Sequence, residues 1–115
     1  MIKILAKRGY HHNKNDEEFT RHGDYARNIQ YAVSKEFHNG REKVVDIVFL
    51  SVDVLNERLV IGFFRENLSV ENGILQNTDT TIPLSKFTME EFEKQLDRII
   101  PKGNPLRNEV GGESF

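Results

Sequence analysis

Residues 25–64 read YARNIQYAVSKEFHNGREKVVDIVFLSVDVLNERLVIGFF, and every second residue through most of this stretch is apolar. A period of two is typical of strands that bury one face. Asn39-Gly40 suits a two-residue hairpin turn, because both central residues of a type I′ turn need positive φ. A second turn fits residues 55–58. The stretch therefore predicts three antiparallel strands, joined at Asn39-Gly40 and at Asn56-Glu57.

These two turns also determine which residues face each other. The first turn pairs Tyr31 with Val48 and the second pairs Leu50 with Phe63, which makes one face of all three strands almost wholly apolar. Apolar pairs across neighbouring strands stabilise a sheet. One alternative stays open, because the apolar residues of 24–37 also recur every four positions. A helix there would give the order β-α-β-β-(β)-α.

Shorter segments on both sides of this stretch are predicted as further strands, at an edge of this sheet or, for residues 2–6, in a second sheet. Residues 2–6 have the length and branching of a short strand. Asn72-Gly73 offers another short hairpin, between residues 69–71 and 74–76. Residues 80–84 add one more extended segment, and Pro83 restricts it to an edge because proline cannot donate a ladder hydrogen bond.

The clearest helix signal lies at residues 88–100. Thr88 and Glu91 form a capping box, Phe87 and Phe92 are placed as a hydrophobic staple, and Pro101 ends the helix. One stripe of this helix is apolar and consists of Met89, Phe92, Leu96, Ile99 and Ile100. The predicted class is α+β, with an antiparallel meander sheet of about four to five strands and a C-terminal α-helix packed on one face.

The composition predicts one soluble domain. The chain has 115 residues, 30% of them charged, and by its length should fold as a single unit over residues 1–101. Residues 102–115 are interpreted as an irregular tail that could be mobile. The absence of cysteine fits a cytoplasmic protein. The longest apolar stretch, residues 44–54, is too short to span a membrane, so no membrane contact is expected.

Three histidines are the only candidates for a metal site. His11, His12 and His22 lie in a polar stretch with several carboxylates, and these are ligand types that zinc accepts. Their spacing matches no known ligand motif, and neighbouring side chains in an extended segment point in different directions. The expectation is a polar loop without metal or cofactor, with a His-dependent metal hydrolase as the third hypothesis for function.

The N-terminal third carries the positive charge of the chain. Residues 1–41 hold eight Lys and Arg against five Asp and Glu, whereas residues 42–115 hold eight against thirteen. Cations with interleaved aromatics are typical of nucleic-acid binding, and the candidates are Lys7, Arg8, Tyr10, Lys14, Arg21 and Arg27. An exposed Tyr10 would stack on a base. The sequence pI near 6.1 counts against this second hypothesis, since non-specific binding depends on a strong positive field.

The leading hypothesis comes from the second face of the predicted sheet. That face mixes polar residues with the apolar side chains of Val45, Ile47, Phe49, Val60 and Phe64. Such a face is either covered within the chain or is a contact surface for a partner or for a second copy in a homodimer. No nucleophile with a neighbouring base, phosphate-binding glycine loop or carboxylate pair appears, so an enzyme is not expected.

The sequence therefore predicts a small regulatory or inhibitory protein, not an enzyme, that acts by protein–protein contact. In its small size and lack of cysteine the chain resembles accessory proteins of bacteria and their mobile elements, several of which block larger nucleic-acid enzymes. The resemblance implies such an enzyme as one kind of target. It assigns no role to any residue.

Overall fold

The computed structural model describes residues 1–12, 28–103 and 105–106, with the backbone alone at residues 28–30. The elements are helix α1 (Ile2–Lys7), strands β1 (Asn28–Asn39), β2 (Glu42–Asp53), β3 (Arg58–Asn67) and β4 (Ile74–Pro83), a 3₁₀ turn (Leu84–Lys86) and helix α2 (Met89–Ile99). The sheet order is β1-β2-β3-β4, and each neighbouring pair is antiparallel. The α+β meander with a C-terminal helix is confirmed.

Two assignments of secondary structure change at the N-terminal side. Residues 2–6 are helical, so the predicted strand there is wrong: one helical turn buries Leu5 in the core, and Ala6 and Lys7 are good helix formers. The helical alternative for 24–37 is also wrong over residues 28–37, which belong to β1. There the long pairing with β2 decides against the weak four-residue period.

The first hairpin has a register that differs from the prediction by two residues. Tyr31 lies opposite Leu50 instead of Val48, because Asn39 pairs with Glu42 and the loop is Gly40-Arg41. Gly40 has φ of 71°. Positive φ at the first central position is the type II′ arrangement, for which glycine is preferred. Glycine therefore sets the turn, but one position earlier in the loop than predicted.

The second hairpin is also displaced by two residues. Val52 pairs with Leu59 instead of Ile61, which leaves a four-residue loop, 54–57. The Asp53 carboxylate stabilises this loop by accepting bonds from the Asn56 backbone and side chain, at 3.3 and 2.8 Å. A shift of two residues keeps every side chain on its predicted face, because side chains alternate along a strand.

The third connection is a loop and not a short hairpin. The strand predicted at 69–71 is wrong, since β3 ends at Asn67 and β4 starts at Ile74. Ser69 holds the loop against the β1–β2 turn by accepting from the Lys43 amide at 2.9 Å. In the extended segment predicted for residues 80–84, residues 80–83 are the end of β4, which is an edge strand, and Leu84 already begins the 3₁₀ turn.

Both described α-helices pack on the same face of the sheet. Leu5 of α1 and Phe92 of α2 belong to one buried cluster with the predicted apolar face of the strands. The strand members of this cluster are Val33, Val48, Leu50, Leu59, Ile61, Phe63 and Ile82. We call this side the inner face and the opposite side the outer face. After α2, residues 102–103 and 105–106 form neither helix nor strand, although Leu106 is buried.

The buried side of helix α2 matches the predicted apolar stripe, except that Gln95 is buried and Met89 is not. Phe92, Leu96 and Ile99 are buried, but Met89 is 46% exposed, so its predicted core position is wrong. Gln95 is buried instead and accepts a bond from the Thr80 hydroxyl at 2.9 Å, which ties the helix to β4. Met89 lies in the first turn, beyond the part of the helix that the sheet covers.

The N-terminus of α2 is capped by Thr88. Its hydroxyl accepts from the Glu91 amide at 3.0 Å, as predicted. In a complete capping box the Glu91 carboxylate would also accept from the Thr88 amide. Here it accepts instead from the Gln95 side chain at 2.8 Å. The staple is present, with the Phe87 and Phe92 ring centroids 6.4 Å apart.

Replacing Thr88 with alanine should lower the free energy of unfolding by about 1 kcal/mol, because one helix N–H loses its acceptor. Urea unfolding followed by circular dichroism measures the change. Ser85→Ala is the matched control, since Ser85 is exposed in the preceding 3₁₀ turn and makes no side-chain bond to a described residue. Equal losses in the two variants would contradict a capping role for Thr88.

Candidate functional site

All five predicted interface residues lie together on the outer face. Val45, Ile47 and Phe49 lie on β2, and Ile47 is directly opposite Phe64 of β3. Ile47 is buried, with 5% exposure, whereas the other four side chains are half-buried. On the edge strand this face continues with exposed polar side chains, which are Asn77, Asp79 and Thr81.

Two of the nucleic-acid candidates occupy structural positions. Tyr10 is 4% exposed and belongs to the core cluster. The prediction that an exposed Tyr10 stacks on a base is therefore wrong. The Arg8 guanidinium lies 3.0 Å from Asp97 and 3.8 Å from Glu93, on α2. Lys7 is exposed. The remaining candidates lie outside the described residues; they are Lys14, Arg21 and Arg27.

The histidine candidates do not assemble into a metal site within the described part of the chain. The backbones of His11 and Ser34 exchange two hydrogen bonds, at the edge of β1 that is not paired with β2. The His12 ring stacks on Tyr31 at a centroid distance of 5.5 Å. His22 lies outside the described residues. Among residues 1–12, 28–103 and 105–106, no three His, Asp or Glu side chains are close enough to hold one metal ion.

A row of polar residues crosses the inner face at the end near the β1–β2 turn. Lys35, Asp46, Arg65 and Gln76 lie directly opposite one another on β1, β2, β3 and β4. We call these four residues the polar row. Asp46 is 1% exposed and Arg65 is 8% exposed. Two cations and one carboxylate therefore lie where the strand pattern otherwise places core side chains.

Asp46 and Arg65 form a bidentate ion pair. Arg65 Nε and Nη2 donate to the two carboxylate oxygens at 2.7 and 2.8 Å. A buried pair needs such geometry, because removing each charge from water is costly. Arg65 Nη1 has no acceptor among the described residues.

Lys35 contributes a second cation beside this pair. Its Nζ donates to the Arg8 carbonyl oxygen at 3.1 Å and lies 5.8 and 5.2 Å from the ring centroids of Tyr10 and Phe37. The side chain passes over Gly9, where a Cβ would lie 3.2 Å from Lys35 Cε and where φ is +94°. Within the described part of the chain, the ammonium has no carboxylate within ion-pair distance.

These groups border a cavity of about 590 Å³ that is open to solvent on one side. The described residues that line it are Arg8, Tyr10, Lys35, Phe37, Asp46, Arg65, Ile100, Pro101 and Gly103. Burial raises the pKa of the Tyr10 phenol, and the negative charge of Asp46 raises it further. The hydroxyl therefore stays protonated at neutral pH and can donate a hydrogen bond. This hydroxyl has no hydrogen-bond partner among the described residues.

The sequence contains a signal for the buried ion pair, although not for the cavity as a whole. Side chains two or four positions apart on a strand lie on the same face. Asp46 is therefore on the same face as Val48 and Leu50. Arg65 is on the same face as Ile61 and Phe63. A charge at an inward position of each of two paired strands indicates a buried ion pair.

Comparisons of the chain with protein-family models, curated proteins and solved structures found no match. In the described residues no helix has the length and apolar character needed to cross a membrane. Inferences about function therefore rest on the outer face and on the cavity.

Proposed function

We propose that the protein is a small regulatory or inhibitory protein that acts by protein–protein contact through its outer face, without catalysis. The observation that carries this proposal is the apolar strip in the middle of that face. Val45, Val60 and Phe64 are only half-buried, and both described helices lie on the other side of the sheet. Apolar side chains concentrated on one exposed surface are typical of contact sites.

The charges around this strip favour a basic partner. Among the described residues, the outer face of the strands carries two cations, Lys43 and Arg58, and four carboxylates, which are Glu36, Asp53, Glu66 and Asp79. Lys43 lies 3.4 Å from Glu36, and Arg58 lies 3.0 Å from Asp53. Glu66 and Asp79 have no cationic partner in the described part of the chain. Complementary charge across an interface raises the association rate and excludes unsuitable partners.

This distribution also favours a different protein over a second copy of the chain. A face-to-face homodimer would bring Glu66 and Asp79 towards equivalent carboxylates, and like charges across an interface are unfavourable. A protein with a basic surface, such as a nucleic-acid enzyme, supplies the missing cations. We therefore expect a monomer in the absence of partner, which static light scattering measures.

Reversing both unpaired charges should abolish partner binding. The Glu66→Lys, Asp79→Lys double variant should weaken capture of the partner from a host lysate by at least about tenfold, because attraction becomes repulsion. Glu71→Lys with Glu90→Lys is the matched control, since it changes the net charge equally at exposed positions away from the outer face.

The captured protein is then purified and its affinity for each variant measured by titration. The proposal requires direct binding that weakens with salt and with the outer-face variant but not with the control. Capture that is equal for both double variants, or the absence of any protein that binds directly after purification, would rule out this surface as the site of contact.

A further inference from the structure

We propose that the cavity bordered by Tyr10, Lys35 and Arg65 is a binding site for a small phosphorylated ligand, whose phosphate group is held by these three side chains. This site lies at the end of the inner face and is separate from the outer face proposed for protein contact. It makes the protein a ligand-binding protein in addition to its proposed function.

The donors at the cavity have unused capacity in the described part of the chain. Tyr10 and Arg65 are each at least nine-tenths buried, and both line the cavity. The Tyr10 hydroxyl and Arg65 Nη1 lack acceptors among the described residues. Buried donors are nearly always satisfied in folded proteins, so an acceptor is expected in the cavity.

The charge of the cavity selects an anion. Of the described residues, Arg8, Lys35 and Arg65 line it against a single carboxylate, Asp46. Arg8 is bound to Asp97, and Asp46 is bound to Arg65. This leaves the Lys35 ammonium without a counter-charge in the described residues. A bound anion would provide that charge in a partly buried site, where electrostatic attraction is screened less than at the surface.

The arrangement of the donors favours phosphate over carboxylate. Asp46 already occupies the Nε and Nη2 edge of Arg65, so the donors that remain come from three separate side chains on β1, β3 and the segment after α1. A planar carboxylate is matched best by a single guanidinium fork, whereas a phosphate offers three or more acceptor oxygens in different directions.

The rest of the cavity provides space for the organic part of the ligand. Its volume of about 590 Å³ falls within the range of small-molecule sites and exceeds what a single phosphate fills. Phe37, Ile100 and Pro101 form an apolar part of its lining. The ligand class is therefore a small phosphate ester with an apolar or ring-containing group.

Titration of the 115-residue chain with phenyl phosphate, inorganic phosphate and phenol, at constant ionic strength, tests this site. Heteronuclear NMR or calorimetry follows binding. We expect saturable binding of phenyl phosphate, weaker binding of inorganic phosphate, and none of phenol. Lys35→Gln should weaken the affinity by about tenfold or more, since it removes the uncompensated charge, and Tyr10→Phe should weaken it by a smaller factor.

Lys43→Gln is the matched control, because Lys43 is a lysine of the adjacent strand that pairs with Glu36 away from the cavity. Its affinity should equal that of the unmodified protein. Tyr10→Phe removes one oxygen atom, so it keeps the test decisive if Lys35→Gln fails to fold. The proposal is overturned if phenyl phosphate does not saturate by about 10 mM. It is also overturned if folded cavity variants bind as well as Lys43→Gln.

Discussion

Arg65→Ala should lower the free energy of unfolding by about 3–5 kcal/mol, because it leaves the buried Asp46 carboxylate without its partner. Both oxygens of Asp46 accept from Arg65, and Asp46 is almost completely removed from solvent. Urea unfolding at neutral pH measures the loss. Arg58→Ala is the control, since Arg58 pairs with Asp53 through a single bond of 3.0 Å from an exposed position, where an ion pair contributes about 0–1 kcal/mol.

A double variant separates the cost of the unpaired charge from the value of the pair. Asp46→Leu with Arg65→Met should recover most of the stability, because well-packed apolar side chains often equal a buried ion pair or exceed it. If the double variant were as unstable as Arg65→Ala, the loss would come from packing and not from the isolated carboxylate. If Arg58→Ala cost as much as Arg65→Ala, burial would not be the cause.

Phe92→Ala should cost about 3–5 kcal/mol, because it removes a large side chain from the centre of the contact between α2 and the sheet. Phe92 has 0% exposure and is the residue of α2 that contacts Phe87 in the staple. Thermal and urea unfolding measure the change, and the slope of the urea transition should stay the same.

Met89→Ala is the matched control for Phe92→Ala. Both residues belong to the predicted apolar stripe of the helix, but Met89 is 46% exposed and its sulfur accepts a weak bond of 3.6 Å from the Met1 amino group. Loss of the Met89 side chain should change the stability by about 0.5 kcal/mol or less, as is usual at the surface. A cost at Met89 comparable to that at Phe92 would mean that the first turn of α2 is also covered.

Much of the fold could be predicted because alternation and capping are local signals. The faces of β1, β2 and β3 follow from a period of two, and the start of α2 follows from Thr88 and Phe87. The N-terminal segment could not be assigned in this way. Its length and the branching of Ile2 and Ile4 suit a strand, whereas the helix depends on burying Leu5 against distant strands.

The cavity could not be predicted because it depends on register. With the predicted first turn, Asp46 would pair across the strands with Val33, and Lys35 would pair with Val44. The observed turns place Lys35 and Arg65 directly opposite Asp46 on its two sides. An error of two residues leaves the apolar face unchanged but separates every member of the polar row from its neighbours. Tyr10 belongs to the segment after α1 and not to a named strand, so no strand pattern places it at the cavity.

The turns of this sheet also constrain how the chain can change during evolution. A slip of two residues in the pairing of a hairpin leaves the core side chains of the following strand on the inner face, whereas a slip of one residue would turn them all to the outer face. The described part of the sheet contains one such odd step, between Arg65 and Glu66 opposite β4, where a bulge absorbs it at the end of the ladder. Insertions and deletions inside the paired strands, as opposed to the loops, should therefore be tolerated in even numbers, with odd ones confined to places where a bulge can form.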